Sequence, residues 1–260
     1  MHPMLNIAIR AARKAGDIIA RSCDKVDTLK IASKKDNDFV SEVDQRAEQA
    51  VIDTLLKAYP DHSILAEESG DHKGNDYLWI IDPLDGTTNY LHGFPQYAVS
   101  IALKHKTKLD VAVVYDPFKQ ELFTASRGEG AQLNGKRIRV SSRTTTKGAL
   151  FGTGIPFSDM DLYDKHQKTM RALIPGSAGI RRAGSAALDL AYVAAGRLDG
   201  FWEFDLNPWD MAAGVLLIEE AGGLVGDFEG GFNHLESGNI LAANPKLFKG
   251  MLQLIQPHTR

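Results

Sequence analysis

Two closely spaced aspartates in the segment WIIDPLDGTTN have the spacing and flanking residues that metal and phosphate chemistry requires. Asp82 ends a short apolar run, Asp85 follows soon after it, and Gly86-Thr87-Thr88 can open a helix. Two carboxylates this close repel each other unless a cation lies between them, and backbone N–H groups at a helix start bind phosphate. The alternative interpretation is an Asp-Gly turn with Thr87 as a helix N-cap, although Pro83 argues against a plain hairpin.

Further acidic residues elsewhere in the chain each have an ordinary structural explanation. Glu67 and Glu68 follow an apolar run as solvated charges would, Asp44 ends the possible capping box Ser41-Glu42-Val43-Asp44, and Asp210 lies in the first turn of a predicted helix. Taken together, four acids form a set of hard oxygen donors without His or Cys, which suits Mg²⁺ rather than Zn²⁺. Several ions about 3.5–4 Å apart could both activate a water and neutralise a leaving oxygen. The candidate ligands are Glu67, Asp82, Asp85 and Asp210.

The elements that must position these acids differ between the two halves of the chain. In the first half, apolar residues at helical spacing predict helices over 4–23 and 43–58. Short apolar runs at 62–66 and 77–81 then end at acidic residues. A strand-rich block with tight turns follows and indicates an antiparallel sheet that carries the two helices. Its predicted strands are 98–103, 109–115, 121–125 and 130–133.

The second half alternates between strands and helices, which predicts layered α/β packing. The predicted strands are 150–153, 199–204, 224–227 and 239–243, and the predicted helices are 161–173, 185–195, 208–221 and 246–255. Because the sequence contains no internal repeat or low-complexity linker, we expect one domain over 1–260, with approximate halves 1–147 and 148–260.

Composition and motif searches exclude several classes of protein. Of the 260 residues, 43% are hydrophobic and 24% are charged, as in an ordinary globular protein, and the net charge of −3 gives no overall attraction to nucleic acid or anionic lipid. The single cysteine, Cys23, excludes an intramolecular disulfide and a thiolate zinc cluster. The longest apolar stretch, 211–218, is too short to cross a membrane. We therefore expect a soluble cytoplasmic protein without a membrane partner.

The chain lacks the sequence motifs of several other enzyme classes. The chain has no HExxH, GxSxG or P-loop pattern, and Gly152-Thr153-Gly154 lacks the third glycine of a dinucleotide fingerprint. Phosphatases with an aspartate nucleophile are the nearest enzymatic alternative, because their Asp-x-Asp-x-Thr loop superficially matches Asp-x-x-Asp-Gly-Thr. If water activated by the metal ions attacks a phosphate ester directly, this single displacement inverts the configuration at phosphorus. A route through a phospho-aspartate retains the configuration.

Five segments, in this order, resemble the inositol monophosphatase family, specifically its bacterial SuhB-type branch. They are 38–44, Glu67-Glu68-Ser69, 82–89, Gly184-Ser185-Ala186-Ala187 and Pro208-Trp209-Asp210. The resemblance implies a five-layer α/β/α/β/α sandwich of the inositol monophosphatase and fructose-1,6-bisphosphatase type, assembled as a homodimer. It implies a lithium-sensitive phosphatase with two or three Mg²⁺ ions, and a small phosphorylated polyol, myo-inositol 1-phosphate, as the expected substrate. Fructose 1,6-bisphosphate, nucleotide 3′-phosphates and histidinol phosphate are the alternatives within the family.

The resemblance also implies which residues hold the metals. Glu67, Asp82 and the Leu84 carbonyl would hold the first ion, while Asp82, Asp85 and Asp210 would hold the second. Glu67 and waters would complete a weaker third site. Either Lys34 or Lys35 would take the place of a lysine in a mobile family loop associated with this third ion.

Catalytic and substrate-binding roles follow from the same resemblance. Thr87, hydrogen-bonded to Asp44, resembles the family pair that helps deprotonate the attacking water, with Glu67 as a further catalytic residue. The Gly86 and Thr87 amides would bind phosphate, and Asp210 with the second ion would stabilise the departing alkoxide. The residues matching those that contact substrate hydroxyls are Asp85, Gly184, Ser185, Ala186 and Glu203.

A function of a different class is protein interaction. The SuhB-type branch is associated with bacterial transcription complexes on ribosomal RNA operons, which implies RNA polymerase or an antitermination factor as a partner. A contact face could involve basic residues that solvent would satisfy equally well. These are Arg10, Arg13, Lys14, Arg181 and Arg182. Arg181 and Arg182 have two further interpretations, as a phosphate clamp or as a subunit contact.

Overall fold

The computed structural model of the chain contains two large sheets and three pairs of helices, which stack as five layers. It describes residues 2–23, 31–35 and 38–259, with the backbone alone for 31–35 and 38–41. The outer helices α1 and α2 cover one face of an eight-stranded sheet, α5 and α6 lie between the sheets, and α4 and α8 cover the far face of a five-stranded sheet. This confirms the predicted α/β/α/β/α sandwich. The helices are α1 (Pro3–Ser22), α2 (Glu42–Ala58), α3 (Thr87–Leu91), α4 (Met160–Leu173), α5 (Ala186–Ala194), α6 (Pro208–Glu220), α7 (His234–Ser237) and α8 (Pro245–Ile255).

The larger sheet is antiparallel except at one edge. Its order is β10-β9-β8-β7-β6-β5-β3-β4, and β3 runs parallel to β5 because the short strand β4 turns the chain back at the edge. The block predicted as an antiparallel sheet, 98–133, does pair antiparallel throughout, whereas the parallel pairing of β3 with β5 was not predicted. The strands are β3 (Ser63–Ala66), β4 (Gly70–His72), β5 (Tyr77–Asp85), β6 (Ala98–His105), β7 (Lys108–Asp116), β8 (Glu121–Ser126), β9 (Gly130–Leu133) and β10 (Lys136–Arg137).

Alternation along the central strands explains how helices fit on both faces of this sheet. On β6, Val99, Ile101 and Leu103 pack against the outer helices, while Ala98 and Ala102 face the layer of α5 and α6. Successive strand residues point to opposite faces. Small residues on the inner face therefore leave room for α6 to lie close to the sheet.

The smaller sheet has the order β12-β11-β13-β15-β14, in which β11 is parallel to both neighbours and β15 is antiparallel to both. The sequence predicted four of its strands and missed the edge strand β12, which has three residues and a single apolar side chain, Ile180. The strands are β11 (Leu150–Thr153), β12 (Gly179–Arg181), β13 (Gly200–Glu203), β14 (Leu224–Gly226) and β15 (Ile240–Ala243).

The polar stretch between α1 and α2 requires a correction. It was expected only to separate the two helices, whereas β1 (Ile31–Lys35) and β2 (Asp38–Ser41) pair there as an antiparallel hairpin. Lys34 and Lys35 lie on β1, and their predicted role beside the third ion concerns side chains outside the described part of the chain. Within the described residues, no helix combines the length and apolar character that crossing a bilayer requires.

Close packing of α5 against α6 generates a stability prediction at Gly214. A Cβ atom there would lie 2.4 Å from the Cβ of Leu190, whereas a Cβ at Gly250 on α8 would meet nothing within 4 Å. Replacing Gly by Ala raises helix propensity at both positions. The difference between the two variants in free energy of unfolding therefore reports the cost of overpacking at Gly214. We expect Gly214→Ala to have a free energy of unfolding about 1–3 kcal/mol lower than Gly250→Ala, measured by urea denaturation. Equal stability of the two variants would contradict this packing.

Candidate metal centre and active site

Three carboxylates from two distant parts of the chain, the end of β5 and the start of α6, converge at one site. Asp82, Asp85 and Asp210 each offer an oxygen, and these atoms all lie within 4.8 Å of one another. Asp82 is buried, and the other two are half-buried at the wall of a cleft of about 510 Å³. The structure thus brings together three of the four predicted ligands in a geometry that could hold a divalent cation.

An irregularity at the end of β5 turns Asp82 and Asp85 toward the same point. The regular pairing of β5 with β6 is interrupted between these two residues, where Pro83 has no N–H to donate to the ladder. The Leu84 N–H instead donates to Asp82 Oδ1 at 2.9 Å. In a regularly paired strand, residues three apart point to opposite faces of the sheet. The irregularity between Asp82 and Asp85 therefore explains how both side chains reach one site.

Asp85 is held by the start of α5. Ser185 Oγ and the Ala187 N–H donate to Asp85 Oδ2 at 2.6 and 2.7 Å. Ser185 also caps α5 by accepting from the Leu188 N–H. The carboxylate at the end of β5 is therefore oriented by the second half of the chain.

Asp210 serves both interpretations that the sequence allowed. It lies in the first turn of α6, and its Oδ2 accepts the Asn207 N–H at 2.7 Å, as in a capping box. The same side chain belongs to the carboxylate cluster. A structural cap here fixes the direction of a candidate ligand.

Glu67 lies beside the cluster because β3 is parallel to β5. Ala66 is paired with Ile81, so the next residues along the two strands, Glu67 and Asp82, end at the same edge of the sheet. The Glu67 N–H donates to Ile81 O at 3.2 Å, and its carboxyl group is a hydrogen-bond partner of Asp82. Glu67 also lines the cleft, outside the tight group of three.

Burial and mutual repulsion disfavour the ionised forms of the carboxylates in this cluster. Burial, with repulsion from the neighbouring carboxylates, raises the pKa of Asp82 and Asp210 well above the ordinary range. Burial also raises the pKa of Asp85 to about 6, although bonds from Ser185 and Ala187 act in the opposite direction. A divalent cation would favour the ionised forms. The donor set is all oxygen among the described residues, so it fits a hard ion such as Mg²⁺.

The Thr87–Asp44 pair has the geometry that the resemblance implied. Thr87 Oγ1 donates to Asp44 Oδ1 at 2.8 Å and lies 3.0 Å from Leu84 O. Asp44 is fully buried on α2. This bond connects α2 directly to the turn that carries the ligands. The predicted capping box at Ser41 involves a side chain outside the described part of the chain, and α2 begins at Glu42.

Gly86 lets the ligand turn approach the Gly184 loop. Its φ of +94° is left-handed, and a Cβ there would lie 2.9 Å from Gln96 O and 3.1 Å from Gly184 O. Asn89 Nδ2 closes this junction by donating to Gln96 O at 2.7 Å and to Ala183 O at 2.9 Å. The start of α3 and the predicted substrate loop are thus fastened together.

A smaller pocket of about 140 Å³ adjoins the cleft and contains the remaining predicted substrate residues. It is bounded by the candidate ligands Asp85 and Asp210 and by the start of α5, and it extends to β13. Its other polar residues include Arg182 and Asp189, of which Asp189 was not predicted. The predicted residues that line it are Asp85, Gly184, Ser185, Ala186, Glu203 and Asp210.

Gly154, in the Gly-Thr-Gly stretch that lacks a dinucleotide fingerprint, makes room for this pocket. A Cβ at Gly154 would lie 1.6 Å from Glu203 Oε1, whereas one at Gly152 would lie 2.8 Å from Cδ1 of the buried Leu198. Burial against this wall raises the pKa of Glu203 to about 8, and Asp189 adds to the rise. Neither contact was predictable, because both join residues far apart in sequence.

A five-layer α/β/α/β/α fold with a carboxylate cluster that could hold a metal ion, beside a threonine–aspartate pair, is typical of a metal-dependent phosphatase. The chain belongs to the inositol monophosphatase family, whose sequence profile matches residues 1–260. It is 58% identical to the Nus factor SuhB of Pseudomonas aeruginosa over 99% of this chain and 97% of that protein.

Solved structures agree with this assignment. The extragenic suppressor protein SuhB of Bartonella henselae has a TM-score of 0.95 at 43% identity and covers 98% of both chains. The inositol monophosphatase of Anabaena (Nostoc) sp. PCC 7120 has a TM-score of 0.84 at 38% identity, over 97% of this chain and 95% of that one. The similarity therefore extends over the whole fold rather than over a single motif.

The raised pKa of Glu203 predicts how the stability of the metal-free protein depends on pH. Its ordinary value is 4.5 and its folded value is about 8, so the folded state binds more protons between these values. The free energy of unfolding therefore falls as pH rises through that window. In urea denaturation we expect the free energy of unfolding to fall between pH 5 and pH 8 by about 2 kcal/mol more for the wild type than for Glu203→Gln. This is less than the full pKa shift would give, because Glu203 is only half-buried and lines the smaller pocket.

The exposed Glu236 on α7 supplies the control for this measurement. Glu236→Gln removes a carboxyl from the surface and should reproduce the wild-type pH dependence. Parallel curves for wild type and Glu203→Gln would show that Glu203 does not carry the effect.

Proposed function

We propose that this chain hydrolyses phosphate monoesters with Mg²⁺, and that its substrate is myo-inositol 1-phosphate, which gives myo-inositol and phosphate. The observation that carries the proposal is the convergence of three carboxylates at one cleft, beside the Thr87–Asp44 pair. Inositol monophosphatases among the solved relatives support the choice of substrate.

The metal ligands would be those of the carboxylate cluster. Asp82, Asp85 and Asp210 offer their oxygens at one point, with the Leu84 carbonyl and Glu67 as further ligands for a first and a weaker third ion. Bound Mg²⁺ would supply Lewis-acid stabilisation of phosphate oxygens and would lower the pKa of a coordinated water. Li⁺ would inhibit by competing for this centre.

Thr87 and Asp44 would prepare the attacking water. The Thr87 proton is directed at Asp44 Oδ1, so lone pairs of the Thr87 hydroxyl oxygen remain as acceptors. A water that donates to this oxygen would be oriented toward the phosphorus and would have a path for its proton. Asp44 is buried, and its charge would favour transfer of that proton away from the water.

The remaining residues would bind the ester. The amides of Gly86 and Thr87 at the start of α3 would hold the phosphate, and the polyol would lie toward the smaller pocket, where Glu203 and Ser185 offer polar atoms. Asp210 would lie on the leaving-oxygen side. We also propose that the chain forms a homodimer.

A second candidate function is participation in transcription antitermination. The observation that favours it is the 58% identity to a protein named Nus factor SuhB. The partner would be RNA polymerase or an antitermination factor, and such a role would place the chain in the cytoplasm. It does not compete with phosphatase chemistry, because a surface contact requires none of the carboxylate ligands.

A substrate panel tests the proposed activity. With Mg²⁺, we expect myo-inositol 1-phosphate to have the highest kcat/KM in a set that includes glycerol 2-phosphate, fructose 1,6-bisphosphate, a nucleotide 3′-phosphate and histidinol phosphate. Phosphate release should stop after chelation and fall when Li⁺ is added. A higher kcat/KM for any other member would replace inositol phosphate as the substrate. Undiminished turnover in excess chelator would exclude the metal centre.

An Asp85→Asn variant tests whether the two functions are separable. Because Asp85 belongs to the carboxylate cluster, its loss should reduce kcat/KM by more than the roughly 10- to 100-fold typical of residues outside a ligand set. Binding to purified RNA polymerase with antitermination factors should be unchanged. Glu236→Gln, at an exposed carboxylate on α7, is the control for both assays. Full phosphatase activity of Asp85→Asn would show that the metal site is wrongly assigned.

A further inference from the structure

Helix α2 carries two buried carboxylates that contact the turns around the candidate metal centre. Asp44 is fully buried and Glu48 is 3% exposed, and residues four apart lie on the same helix face. Asp44 accepts the Thr87 hydroxyl in the proposed chemistry, while Glu48 has no part in it. A buried carboxylate is costly unless its oxygens are satisfied, so the partners of Glu48 indicate what it does.

Glu48 binds the turn that carries Glu67. Its Oε2 accepts the Glu68 N–H at 2.9 Å, and its Oε1 accepts the Ser69 N–H at 2.8 Å. Residues 67–69 connect β3 to β4, so these two amides lie outside the strand ladder, and Glu48 satisfies them. Hydrogen bonds to an ionised carboxylate are stronger than those to neutral acceptors.

The Glu67 backbone is therefore held from two sides. Its own N–H donates to Ile81 O on β5, and the next two amides are held by Glu48 on α2. The Glu67 side chain leaves this fixed segment and meets Asp82. Glu48 itself does not line the cleft, and each of its oxygens already accepts an N–H, so it acts on the centre through Glu67 and not as a ligand.

We propose that Glu48 is a positioning residue that fixes the Glu67 turn against α2 and thereby sets the affinity of the centre for divalent cations. This inference rests on the proposed metal-dependent function. It assigns a role to one α2 residue in addition to Asp44, so that one helix face positions both the Thr87 turn and the Glu67 turn.

Mn²⁺ binding without substrate tests the proposal, with free Mn²⁺ measured by electron paramagnetic resonance at fixed pH. We expect Glu48→Ala to weaken Mn²⁺ binding by roughly 10- to 100-fold, as is typical for residues that orient metal ligands. Glu48→Gln should show a smaller loss of about threefold or more, because its amide oxygen retains one acceptor. Gln49→Ala, an exposed neighbour that bonds to Asp53 on the same helix, should bind like the wild type.

Two further readouts separate positioning from general stability. Exchange of the Glu68 and Ser69 amides should accelerate in Glu48→Ala while exchange in the sheet interior is unchanged. At saturating Mg²⁺, kcat should stay within a few-fold of wild type, while the Mg²⁺ concentration for half-maximal activity rises with the loss of Mn²⁺ affinity.

The outcomes are distinct. A folded Glu48→Ala that binds Mn²⁺ as tightly as wild type overturns this inference alone. If that variant does not fold, wild-type affinity in Glu48→Gln overturns it. A wild type that binds no Mn²⁺ overturns both this inference and the proposed function. Metal binding without phosphatase activity overturns only the proposed function.

Discussion

Repulsion among three converging carboxylates is the constraint on which this structure depends. Asp82, Asp85 and Asp210 approach within 4.8 Å of one another, an arrangement that opposes folding as long as the charges remain uncompensated. Each acid is restrained by donors that do not belong to the cluster. Leu84 donates to the first, Ser185 and Ala187 to the second, and Asn207 to the third. The surrounding fold supplies these donors, and a bound cation would relieve the repulsion that remains.

The same contacts explain why the centre lies where the two halves of the chain meet. Asp82 and Asp85 come from the larger sheet, whereas Asp210 and the donors to Asp85 come from the helices between the sheets. Those helices approach closely because their facing residues are small, with Ala98 and Ala102 on the sheet and Gly214 against Leu190. A shift of this layer would move the ligands relative to one another, so packing far from the cleft is coupled to the geometry of the centre.

Local sequence signals were sufficient for the features that depend on short stretches. Helical periodicity located α1 and α2 within a few residues, and the ends of two apolar runs indicated Glu67 and Asp82. Asp210 had a sufficient explanation as a helix cap and became a candidate only when the acids were considered as a set. Features that depend on partners distant in sequence could not be predicted from such local signals. Short apolar runs do not reveal which strand they pair with, so the parallel pairing of β3 with β5 was missed. Glu48 resembled any other helix acid until its contacts with the Glu68 and Ser69 amides were seen.

Under the proposed function, discrimination between substrates lies outside the metal centre. The bound ions and the amides near Gly86 would contact the phosphate and the leaving oxygen, which all candidate esters share. The alcohol would extend toward the smaller pocket, which is lined by Asp189 and by Glu203, and Gly154 leaves the space that the Glu203 side chain occupies. A pocket of about 140 Å³ with carboxyl groups on its wall accepts compact hydroxylated groups better than a nucleoside. Changes in substrate within this fold would therefore require changes at that wall and not among the metal ligands.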